Sequence, residues 1–170
     1  ILTELAKHGA YDRILTQLDA EQGIGHLVDG LIKGWALAGT GDIQGASAAF
    51  DKMGQEKGLS GFATYHKGLM LATVGDYAAA EDQFARVESD PTQMTRRAVI
   101  LRIIGMLQMD QFEQAATYMD ALFKGVMDPE LAALRAMIDV GAKVDFPITS
   151  AAIGMAEVFF AVADMLSAES

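Results

Sequence analysis

The chain has no cysteine, three prolines and one tryptophan among its 170 residues. Without cysteine, disulfides and thiolate zinc sites are excluded, and the compartment stays open. The prolines stand at Pro91, Pro129 and Pro147, so long stretches are free of helix breakers. Their Ala, Leu and Met content favours helices over strands, because unbranched side chains lose little freedom in a helix. Basic residues are scarce too: 13 Lys and Arg stand against 23 Asp and Glu, a net charge of −10. That balance argues against nucleic acid and against anionic membrane surfaces. No apolar run reaches the roughly 20 residues of a membrane-spanning helix, so a soluble protein without membrane insertion is expected. The chain opens on ILTELAKH without an initiating Met and reads as a slice of a longer protein. A leader could have been removed, so cytoplasm and periplasm are both open.

What the chain does have is an internal period. GDIQGASAAF (41–50) and GDYAAAEDQF (75–84) share Gly-Asp, a large apolar residue, an alanine and a phenylalanine, 34 residues apart. The preceding blocks KGWALAGTGD (33–42) and KGLMLATVGD (67–76) match at six of ten positions. A weaker third copy is RIIGMLQMDQFEQAATYM (102–119), in which Phe112 answers Ile43 and Tyr77, and Met119 answers Phe50 and Phe84. HGAYDRILTQL (8–18) resembles the second half of a unit. Apolar spacing predicts helices over about 26–39 and 43–55, 60–73 and 77–88, then 94–108 and 111–123. Gly41 and Gly75 suit the left-handed end of a helix, and Asp42 and Asp76 suit the caps that follow. Asp128-Pro129-Glu130 is a helix start, with Gly141 as the stop. GAKVDFPITS then breaks the phase, and a last helix starts at Thr149 or Ser150.

This pattern resembles the tetratricopeptide repeat (TPR), over about residues 9–124, and more loosely a long bacterial repeat protein. The resemblance implies an all-α solenoid of about nine helices, in which paired antiparallel helices stack into a right-handed superhelix. The units fall at 1–24 (partial), 25–58, 59–92 and 93–127, followed by irregular helices over 128–141 and 149–168. Ile103 stands where Gly34 and Gly68 stood, so the third unit is expected to pack more loosely.

By the same resemblance, the concave face is lined by Leu31, Trp35, Phe62, Tyr65, Leu69, Arg97, Ile100 and Ile104. The Lys and Asn ladder with which some family members hold a peptide carboxylate is absent there. An apolar, aromatic groove suits an amphipathic helix or an extended apolar peptide. Alternatively, further repeats or the terminal helix cover it. Trp35 and His66 read as packing residues, with His66 turned toward a neighbouring helix.

No catalytic or metal-ligating pattern appears. His8, His26 and His66 are isolated, and GLSG (58–61) is not a nucleophile elbow. No P-loop and no cofactor motif is present. Arg96, Arg97 and Arg102 form one basic cluster, which offsets nearby acids or meets an acidic partner. The reading is therefore a non-enzymatic protein-interaction module. The alternatives are a structural spacer or oligomerisation arm, and a segment that regulates a catalytic domain elsewhere in a longer chain.

The terminal helix is apolar over most of its circumference. Only Glu157, Ala161, Asp164 and Ala168 form a line polar enough to face water. Ile153, Met155, Phe159, Phe160, Val162 and Leu166 are expected to find their cover in a second copy, making a homodimer.

Overall fold

A computed structural model describes residues 2–20, 23–87, 95–123 and 125–168, with 164–168 described as backbone only. The described residues form ten helices and no strand. They are α1 (Leu2–Lys7), α2 (Tyr11–Asp19), α3 (His26–Gly39), α4 (Ile43–Gly54) and α5 (Ser60–Thr73). There follow α6 (Tyr77–Val87), α7 (Arg96–Gln108), α8 (Phe112–Phe123), α9 (Pro129–Asp139) and α10 (Ala151–Ala168). The count exceeds the expected nine because Leu2–Lys7 already makes a helix of its own, burying Leu2, Leu5 and Ala6.

The turns follow local chemistry. Gly41 and Gly75 take φ of 89° and 86°, and in the third unit Asp110 occupies the equivalent left-handed position at 60°. Asp42 accepts the Gly45 amide at 2.8 Å, Asp76 the Ala79 amide at 3.1 Å, and Asp128 those of Glu130 and Leu131 at 3.0 Å. Each cap satisfies donors that the first helical turn leaves without a partner. Pro91 and its neighbours lie outside the described residues.

Within each of the two clear repeats a glycine seats a phenylalanine. A Cβ on Gly34 would come within 2.5 Å of the Phe50 ring, and one on Gly68 within 2.8 Å of the Phe84 ring. The periodic phenylalanines thus pack inside their own unit, helix against helix, as well as toward the core. In the third unit Ile103 and Met119 are both fully buried, and α7 and α8 make a smaller contact than α5 and α6.

From α1 to α9 each helix packs on its neighbours in sequence, and α3 also touches α5. Then the order breaks. The non-helical segment after α9 carries the chain back across the domain, and α10 packs on α3, α5 and α1 rather than on α9. Several contacts hold this crossing in place. Lys143 pairs with Asp110 at 2.9 Å, and Gln108 donates to the Val144 carbonyl at 2.5 Å. Phe146 is buried edge-on to Tyr77, and the Thr73 hydroxyl lies 3.0 Å from the Ile148 carbonyl.

Candidate functional site

The face formed by α3, α5 and α7 holds the eight residues expected to line the groove. Leu31, Trp35, Leu69 and Ile104 are buried, while Phe62, Tyr65 and Ile100 are partly buried and packed against the core. Arg97 keeps 40% of its side chain exposed. The groove is not open: α10 lies in it. Of the two alternatives raised for this face, cover by the terminal helix is what the structure contains.

Two features set where α10 sits. The first is Gly154. A methyl group on it would collide with the six-membered ring of the Trp35 indole, so α10 meets α3 there backbone to ring. Trp35 is held from below: its Nε1–H donates to Nδ1 of His66 at 3.0 Å, and Phe50 packs edge-on at 6.3 Å between centroids. That bond requires Nδ1 to be the acceptor, so the neutral ring carries its proton on Nε2. Nε2 has no hydrogen-bond partner among the described residues. Burial makes the charged ring unfavourable and pushes the His66 pKa down to about 3. Its expected orientation toward a neighbouring helix is what the Trp35 bond provides.

The second feature is the pair Arg97–Glu157. The Arg97 Nε donates to Glu157 Oε2 at 2.7 Å, and a guanidinium NH2 donates to Oε1. The guanidinium also lies 5.1 Å from the centre of the Phe160 ring, within cation–π range. Glu157 was expected to face water and does not: it is 7% exposed. A helical wheel places it on the polar line, but the partner that makes its burial tolerable sits on α7, out of sight of any local pattern. Burial first, then the Glu157 charge, raises the Tyr65 pKa, so the phenol is neutral.

The apolar side of α10 is partly covered within the chain. Met155 and Val158 are buried, Phe159 and Val162 half-buried, and Ile153 and Phe160 remain 38% and 51% exposed. The side chain of Leu166 lies outside the described residues. Expecting a second copy to cover Met155 overlooked the returning linker, which brings α1, α3 and α5 within reach. A cavity of about 370 Å³ remains beside Met155 and Phe159, walled by Ile32 of α3 and by Leu2 and Ala6 of α1.

The basic cluster is internally neutralised. Arg96 pairs with Asp128 and Glu130, each at 2.8 Å, and Arg102 pairs with Glu81 at 2.6 Å while stacking over Tyr118. Among the described residues no group of His, Asp and Glu is arranged to hold a metal ion. No described helix is long and apolar enough to cross a membrane. Sequence reasoning missed Gly154 and Glu157. A glycine inside an otherwise unbroken helical stretch was the signal available for the first. No family model, curated protein or solved structure matches the chain.

Proposed function

We propose that this domain is a non-enzymatic protein-interaction module of TPR type whose concave groove is built to hold a helix. The observation that carries the reading is the seating of α10. The groove supplies an apolar floor, an aromatic ring shaped against a glycine backbone, and an arginine for one carboxylate. A surface that accommodates one helix through these contacts has the chemistry to accommodate another in its place.

The structural alternative has its own support. Leu31, Trp35 and Leu69 have no exposed surface at all, as expected if α10 is a permanent lid and the domain a spacer. One titration separates the two. In the full chain carrying Gly154→Leu, the overfilled contact releases α10 and exposes Trp35. A peptide with the sequence of residues 149–168, which contains no tryptophan, is then added. A saturable blue shift of Trp35 emission supports helix binding in trans. An unchanged spectrum up to high peptide concentration assigns the groove a structural role only.

Self-association, if it accompanies this function, would use the stripe left exposed on α10, Ile153 and Phe160. Light scattering of the wild-type chain and of Phe160→Asp tests it, with a dimer lost on substitution as the supporting result.

A further inference from the structure

The contacts of α10 specify more than an apolar helix. Burying a carboxylate against an arginine in an otherwise apolar contact adds little stability compared with apolar side chains of the same size. What such a pair can supply is register. The sequence of α10 shows why register matters here. Gly154-Met155-Ala156-Glu157-Val158 is echoed seven residues later by Ala161-Val162-Ala163-Asp164-Met165. Seven residues are close to two helical turns, so a slipped helix would present the same face. It would then place Ala161 against Trp35, where even one methyl group collides. Asp164, shorter than Glu157 by one methylene, would be left to meet Arg97. Glycine at one position and glutamate three residues later, one turn of helix apart, together admit a single register.

We propose that Trp35 and Arg97 are the specificity-determining residues of the groove, and that the partner it takes in place of α10 is a helix with glycine three residues before glutamate, each followed by an apolar residue. The charge complementarity is on the page: Arg97, on the α7 border of α10's seat, is matched by a buried carboxylate on the occupant. The same pair offers a way in. Arg97 is 40% exposed, so an incoming carboxylate reaches the guanidinium before α10 has left the apolar floor. This inference rests on the helix-binding reading above and specifies its ligand.

The test uses the full chain bearing Gly154→Leu and three peptides spanning residues 149–168: the native sequence, one with Gly154→Leu and one with Glu157→Lys. Trp35 emission reports binding. The native peptide is expected to bind, and each altered peptide to bind about tenfold more weakly or worse, as for removing a buried carboxylate from its arginine or breaking a close-packed contact. The Glu157→Lys peptide is expected to recover on a host that also carries Arg97→Glu. If all three peptides bind equally, the groove accepts any apolar helix: the specificity is overturned while helix binding stands. If none binds, both readings fall. Should Gly154→Leu cost the host its helicity by circular dichroism, the full chain with Glu157→Lys serves as host for the same titrations.

Discussion

Gly34 and Gly154 each seat an aromatic ring, yet they belong to different kinds of contact. Gly34 and Phe50 come from adjacent helices of one repeat, and the same pair recurs as Gly68 and Phe84. Gly154 meets Trp35 from the far end of the chain and has no periodic counterpart. The first contact builds a unit; the second decides what lies in the groove. The difference teaches that similar steric chemistry can serve the scaffold in one place and occupancy in another. Damage to the two is expected to look different.

The largest effect is expected where the two contacts meet. Trp35 touches Phe50 on the scaffold side and Gly154 on the groove side, so Trp35→Ala should cost about 3–5 kcal/mol in chemical denaturation. A cost below about 1 kcal/mol would mean that the indole is not the junction between the two contacts.

Acid should come next. The neutral His66 ring under Trp35 has its pKa lowered from 6.5 to about 3, so protonation favours the unfolded chain. Stability attributable to this group is flat above pH 6.5. It falls as pH drops from 6.5 toward 3, by roughly 4 kcal/mol in total. His66→Gln keeps an acceptor for the Trp35 N–H and removes the titration. Its stability should decline less steeply than that of the wild type across this window, and parallel curves would refute the assignment.

The direct comparison is between the glycines. Gly34→Leu and Gly68→Leu should each destabilise the whole domain by about 1–3 kcal/mol or more through overpacking against Phe50 and Phe84. Gly154→Leu should instead red-shift Trp35 emission while leaving the helicity of the repeats close to wild type. Identical behaviour of the three variants would erase the distinction between scaffold and groove contacts.

The smallest effect is expected at the rim. Glu157→Gln keeps the shape and removes the charge, leaving Arg97 without its ionic partner. Because Arg97 is partly solvated, the cost should be about 1 kcal/mol. It should be halved or better by raised salt if screening already weakens the pair in the wild type.

Much of the fold was legible because its determinants are local. Helix spans follow apolar spacing, and the turns follow residues such as Gly41 and Gly75 that tolerate positive φ. The expectation for the groove-lining residues rested on analogy with the resembled repeat, and half of the eight turned out buried. Glu157 was misread because amphipathic analysis sorts residues by polarity. It cannot see that a carboxylate meets its arginine across the domain.

By itself the sequence determined an all-α chain, most of the places where its helices start and stop, and the glycines and phenylalanines that recur every 34 residues. These depend on interactions within a turn or between adjacent helices, which periodicity records. Only the tertiary structure decided that α10 returns to α3 and α5, that Trp35 rests on His66, and that Glu157 is buried on Arg97. The physical reason is the segment from 142 to 150. It is non-helical and carries no period, and its path is set by separate anchors at Gln108, Tyr77 and Thr73, so the direction of the last helix is fixed by contacts distant in sequence.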